Sequence, residues 1–275
     1  MVITAKDVNV LRKKTGAGMM DCKKALQESD GDLESAIDFL RKKGQKIAAK
    51  RGDRDAKEGL VIAKISNQGD KGVLFCLNCE TDFVAKNDDF GSFAEALADI
   101  ASDNAPTTVE DFLALPFNGN GLSIGQKITE QSGVIGEKIE ITGYELIEAT
   151  RVVAYNHPGN QVATIVGLTK DALEEGKQVA MQVAAMNPIA VDKESVPKHI
   201  IDKELEVGKE LAIQEGKPAE MAEKIAMGRL NKFFKESTLL NQPFIRDNKK
   251  TVQQFLKESS PDLSVTDFKR ISLSI

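Results

Sequence analysis

Two stretches of the chain follow one plan about eighty residues apart, and that duplication constrains the fold more than any other feature. In the first, Leu60 to Ser66 and Val73 to Cys79 are rich in strand-forming residues and flank Asn67-Gln68-Gly69-Asp70-Lys71-Gly72, which has the composition of a hairpin turn. An amphipathic helix follows through Phe93, Ala94, Leu97, Ile100 and Ala101 and ends before Pro106. In the second, Arg151 to Tyr155 and Gln161 to Leu168 flank Asn156-His157-Pro158-Gly159-Asn160. A helix with Val179, Val183 and Ala184 then stops at Asn187-Pro188. Aligning Asn104-Ala105-Pro106 with Asn187-Pro188 superimposes the two units, which predicts a core of two related antiparallel sheet-plus-helix subdomains.

Ahead of the duplication the period is helical. Thr4 with Asp7 three residues on is a helix start, after which Val8 and Leu11 share one face until Thr15-Gly16-Ala17-Gly18 interrupts. A second short helix carries Met20, Ala25 and Leu26. Asp32 then caps a third with Leu33, Ala36, Ile37 and Leu40 at i, i+3, i+4, i+7, and Gly44 reads as its stop. Three short helices in this space form a minimal bundle suited to presenting a surface. The stretch from Gln45 to Gly59 has no apolar period and reads as a helix tail or linker.

After the second unit, Pro197 to Glu215 and Pro218 to Lys235 are helical runs joined at Gly216-Lys217-Pro218. The second run has Ala222, Ile225, Leu230 and Phe233 on one stripe. They predict an inserted antiparallel hairpin, which either protrudes or packs on its own body. A helix near Thr251 to Glu258 and a strand with Ile271, Leu273 and Ile275 complete the second sheet. The expected fold is thus α+β and multi-domain, divided as residues 1–54, 55–140, 141–190 with 236–275, and 191–235 for the hairpin.

Function classes fall away on composition. No apolar stretch approaches the roughly 18 residues of a membrane span, and Met1 to Lys6 lacks a long apolar signal region, so a cytoplasmic chain is expected. No Gly-x-x-x-x-Gly-Lys-Ser/Thr loop is present, Ser132 to Lys138 being a poor imitation. His157 and His199 are the only histidines, thin material for a metal site or a catalytic triad, and no cofactor is expected. Cys76-Leu77-Asn78-Cys79 has redox-pair spacing, but strand alternation sends the two thiols to opposite faces, so they read as packing. Net charge is −5 overall, yet Met1 to Arg54 holds 13 basic against 8 acidic residues. That excess could serve an acidic partner or nucleic acid, and reads first as solvated helix faces.

The segment Asn78 to Phe90 is the most informative. Thr81 or Asp82 caps a short turn at a strand exit, and by residue type Phe83 reads as a core anchor in preference to an exposed tip. Thr81-Asp82-Phe83-Val84-Ala85-Lys86 resembles the signature segment of the elongation factor Ts family. Leu11-Arg12 with Thr15-Gly16-Ala17-Gly18-Met19-Met20-Asp21-Cys22-Lys23-Lys24-Ala25-Leu26 resembles that family's N-terminal domain. Further matches lie at Ala184 to Pro188, Gly216-Lys217-Pro218 and Gln242-Pro243-Phe244.

The resemblance implies an N-terminal bundle like ubiquitin-associated (UBA) domains and a non-enzymatic exchange of guanine nucleotide on elongation factor Tu. In that reading the Asp82-Phe83 tip, flanked by Thr81 and Val84, intrudes into the GTPase domain and dislodges magnesium. Leu11, Arg12, Met19 and Met20 would dock from the bundle, with Ile135, Gly136 and His157 as further contacts. The implied partner is that protein, GDP-bound or nucleotide-free, and neither nucleic acid nor membrane; a dimer of heterodimers is one assembly open to it. The family often carries a further C-terminal segment, and with the sequence ending at Ile275 that contact is expected to be missing or replaced.

Overall fold

Thr4 starts the first helix as its spacing to Asp7 predicts: its hydroxyl accepts the Asp7 N–H at 3.3 Å, and the Asp7 carboxylate accepts the Thr4 N–H at 2.9 Å. In the computed structural model, which describes residues 3–117 and 121–273, α1 runs Ala5–Thr15, α2 Met19–Glu28 and α3 Leu33–Lys50. Asp32 caps α3 through the Ser35 N–H at 2.9 Å. The three helices close around Leu11, Cys22, Ala25, Leu26 and Ala36.

Chain order continues with β1 (Glu58–Ile65), β2 (Lys71–Cys79), the single turn α4 (Asp82–Ala85) and α5 (Asp88–Asn104). Then come α6 (Val109–Ala114), a small ribbon of β3 (Pro116–Phe117) with β4 (Leu122–Ser123), α7 (Ile124–Ile135) and β5 (Glu140–Glu148). β5 pairs antiparallel with β2, giving a first sheet ordered β1-β2-β5. That sheet therefore extends to Glu148, past the edge read at residue 140, because the free side of β2 is completed by the returning chain.

The second unit contains β6 (Arg151–Asn156), β7 (Val162–Leu168) and α8 (Leu173–Met186). After the helical hairpin, α9 (Lys198–Gln214) and α10 (Ala219–Ser237), it resumes with a ribbon of β8 (Pro243–Phe244) and β9 (Asp247–Thr251), then α11 (Val252–Ser259) and β10 (Val265–Ser272). β10 completes a sheet ordered β10-β7-β6. Ile271 and Leu273 pack on the core as their alternation predicts; Ile275 lies outside the described residues.

Strand alternation organises the layers. Leu60, Ile62, Phe75 and Leu77 pack under α5, while Val61, Ala63, Leu74 and Cys76 face Val152, Ala163 and Ile165 of the second sheet. The second sheet's other face carries Val153, Val166 and Leu168 against α8 and α11. The result is helix, sheet, sheet, helix. Asn156 stitches the sheets by donating to the Ala63 carbonyl at 2.9 Å and accepting the Ala63 N–H at 2.8 Å, which satisfies the exposed edge of β1. The duplication extends to the helix ends: Ala105 after α5 and Asn187 after α8 both adopt φ 43°, a left-handed cap just before a proline.

Packing corrects one reading and decides another that the sequence left open. Gly44 does not stop α3, which runs on through good helix formers to Lys50, so the supposed linker begins later. Gly44 instead sits where α3 crosses α7, facing Gly133 across a contact that leaves no room for a Cβ on Gly133. The second concerns the hairpin: α9 packs on α10, with Gly208 against Ala226, and α10 otherwise touches chiefly the turn at Leu239–Asn241. It protrudes, leaving Leu211, Ile213, Met221 and Met227 exposed. Its base is fixed by buried amides, Gln182 donating to Gln242 and accepting the Ile245 N–H.

Candidate functional site: an exposed aromatic tip

Where β2 ends, the chain makes a bend at Glu80 and enters a helix only one turn long. Thr81 is extended (φ −127°, ψ 152°), its hydroxyl faces the Val84 N–H at 3.5 Å, and its carbonyl accepts the Ala85 N–H at 3.2 Å. A single turn has two sides. Val84 and Ala85 lie against the core under α5, which leaves Asp82 and Phe83 facing out. Phe83 is 84% exposed, so the core-anchor reading by residue type is overturned: the inward positions of this turn are already taken. Asp82 pairs with Lys86 at 2.7 Å, and that hydrogen bond holds its carboxyl below the ordinary range.

The bend is held from a distance. Glu137 follows Gly136, which ends α7 in the left-handed conformation (φ 82°) that a glycine adopts without strain. Its carboxylate accepts the Glu80 and Thr81 N–H groups, both at 3.1 Å, and the Thr81 hydroxyl at 2.7 Å. Glu80 in turn accepts from the Lys138 N–H at 2.6 Å and from Arg51 at 2.8 Å to each oxygen, with Arg54 at 3.2 Å. Burial opposes ionisation of Glu80, yet these donors outweigh it and keep the carboxyl below its ordinary value. The Cys79 thiol donates to the Thr81 carbonyl at 3.2 Å.

Phe83, Val84 and Ile135 line one hollow of about 580 Å³, together with Gly16 of the bundle, Phe90 and Val134. Gly136 caps the helix that brings Ile135 there. Arg12, Met19 and Met20 are exposed on the bundle, the two methionines by 57% and 74%. Leu11 is not available: it is wholly buried as the inward residue of α1, three positions after Val8, and its docking role is withdrawn. His157 stands apart, its Nδ1 2.9 Å from the Tyr155 hydroxyl, lining a second hollow with Met181, Ala184 and Ile245.

Cys76 and Cys79 are buried on opposite faces, and neither is in a disulfide. Burial pushes the Cys76 thiol up to about 11; burial and then the Glu137 carboxylate push Cys79 up to about 12. Both are therefore protonated and unreactive at neutral pH. The native chain should resist an alkylating reagent at pH 7 and react at all three cysteines once unfolded. Rapid labelling of Cys79 in the folded chain would contradict this.

With the geometry in hand, comparison with known proteins is decisive. A family model described as elongation factor TS matches residues 80–274. The chain is 51% identical over 274 residues to elongation factor Ts of Christiangramia forsetii, covering 98% of each chain, and 50% identical to that of Amoebophilus asiaticus over 98% of this chain and 99% of the relative. That of Porphyromonas gingivalis is 45% identical over 100% and 99%. The chain belongs to the elongation factor Ts family. Membership implies a translation elongation factor acting in nucleotide exchange on elongation factor Tu, not an enzyme in the usual sense. For this elongation factor Ts chain, reading by residue type missed Glu80, Glu137, Arg51 and Arg54. The available signal was an acid directly after a helix-ending glycine, at Gly136-Glu137. None of the described helices is long and apolar enough to cross a membrane.

Proposed function

We propose that the chain binds GDP-bound elongation factor Tu and releases the nucleotide by inserting the Asp82-Phe83 tip into the GTPase domain and dislodging its magnesium. The observation that carries this is the phenyl ring of Phe83, held in water on a turn whose backbone is fixed. An apolar ring so exposed gains free energy only when a partner covers it.

Magnitudes decide how much else is needed. Exchange factor and nucleotide weaken each other by the same coupling free energy, and a thousandfold loss of GDP affinity requires about 4 kcal/mol. Burying one Phe supplies ~1.5–3 kcal/mol. The remainder comes from losing magnesium, which offsets phosphate charge, and from docking elsewhere. Arg12, Met19 and Met20 on the bundle, which we read as UBA-like, supply one such surface; Ile135 with Gly136 and the region of His157 supply others. The four divisions of the chain act as separate docking parts, with a broad interface of roughly 2,000–5,000 Å². The setting is the cytoplasm, and the partner is a protein instead of nucleic acid or membrane.

The test is release of labelled GDP from elongation factor Tu. With excess unlabelled guanine nucleotide present to displace the factor from the emptied partner, substoichiometric chain should accelerate release of the whole labelled pool, since the factor then turns over. Absence of acceleration at any concentration would sink the reading. The mass of the nucleotide-free complex distinguishes a simple pair from a dimer of heterodimers.

A further inference from the structure

We infer that Glu137 is the positioning residue of the tip, its carboxylate aiming the one-turn helix that carries Phe83 by gripping the bend in front of it. The inference deepens the exchange reading above and rests on it for its functional consequence. A helix of one turn cannot hold its own direction, because nucleation fixes several dihedral angles for a single hydrogen bond. Something outside must do so. Glu137 takes both N–H groups of the bend and the hydroxyl of the capping Thr81, three donors on one ionised acceptor.

The acceptor is itself immobilised. Gly136 returns its N–H to the Ser132 carbonyl at 2.9 Å, and the buried Ser132 hydroxyl accepts the Ile139 N–H at 3.1 Å. Glu137 is thus clamped on both sides in sequence. The grip is also reciprocal: Glu80 accepts the Lys138 N–H while Glu137 accepts that of Glu80, so each bend secures the backbone of the other. Arg51, just beyond α3, donates to both carboxylate oxygens of Glu80, which ties the end of the bundle to the same junction. Direction of the tip and placement of the bundle therefore share one polar node.

The experiment compares the full chain with Glu137→Ala, Glu137→Gln and Phe83→Ala. Amide hydrogen exchange on the free chain reads the clamp directly. In Glu137→Ala the Glu80 and Thr81 amides should exchange about tenfold faster or more, since hydrogen bonds to a charged acceptor are lost. Glu137→Gln, whose amide oxygen can still accept both N–H groups, should stay close to the parent. In GDP release, Glu137→Ala should lower the maximal rate about tenfold with little change in the half-saturating concentration, because docking surfaces are untouched and only aim is lost. Glu137→Gln should recover most of that rate.

Unchanged exchange at Glu80 and Thr81 in Glu137→Ala would overturn the proposal, as would a parental maximal rate. Faster exchange throughout the core sheet would overturn it too, by making Glu137 a general stabiliser. Should the parent chain itself fail to release GDP, the exchange reading falls, and the amide measurement alone then decides the clamp.

Discussion

Phe83→Ala should slow GDP release from elongation factor Tu by about ten- to a hundredfold while the chain melts where the parent does. The first half follows from burial: covering a Phe side chain is worth ~1.5–3 kcal/mol, and each 1.4 kcal/mol is a factor of about ten. The second half follows from its absence in the free chain. With the ring 84% exposed, its removal opens no cavity and breaks no packing, so stability should move by no more than about 0.5 kcal/mol. Phe83→Leu, which keeps much of the apolar area on the same turn, should fall between. The pair of measurements is what discriminates. A core anchor truncated to Ala would cost about 3–5 kcal/mol of stability, whereas a tip costs rate alone. Equal release rates for parent and variant would defeat the tip mechanism.

The contrast between what the sequence made legible and what it hid follows the range of the forces involved. Capping is local, so Thr4 with Asp7 and Asp32 with Ser35 were readable within four residues. Alternation is local too, which is why Cys76 and Cys79 could be sent to opposite faces and the duplicated hairpins found. Phe83 was hidden by the shortness of its element. One turn has no period, and only the inward seating of Val84 and Ala85 decides which side the ring takes. Leu11 shows the reverse failing, since its inward stripe with Val8 was visible while the family resemblance placed it on the surface. Glu137 was marked locally only by its place after the helix-ending Gly136, and its partners are more than fifty residues away, so what it holds could not be read from its neighbours in the chain.

Gly44 was misread for the same reason, and the crossing it forms yields the sharpest expectation about the bundle. A Cβ added at Gly133 would fall 2.1 Å from the Cα of Gly44, with further backbone atoms at 3.1 and 3.2 Å. Backbone cannot swing aside as a side chain can, so α3 must lift off α7. A Cβ added at Gly44 meets the Gly133 Cα at 3.4 Å and carbonyl oxygens at 3.7 and 3.8 Å, which is ordinary contact. Both glycines lie inside helices, so helix propensity alone predicts that either Gly→Ala change stabilises by about 0.5–1 kcal/mol. The geometry predicts opposite signs. Gly44→Ala should be neutral or mildly stabilising. Gly133→Ala should cost about 1–3 kcal/mol of overpacking. It should also loosen the bundle, seen as faster proteolysis between residues 51 and 57 and faster amide exchange along α3. Because α3 ends at the Arg51–Glu80 pair, displacing it also withdraws one support from the bend before the tip. Gly133→Ala should therefore raise the half-saturating concentration for exchange, as Arg12, Met19 and Met20 lose their fixed distance from Phe83. If the two alanine variants behave alike in stability and proteolysis, the helix crossing does not hold the bundle in place, and its position must be set at the Arg51–Glu80 junction instead.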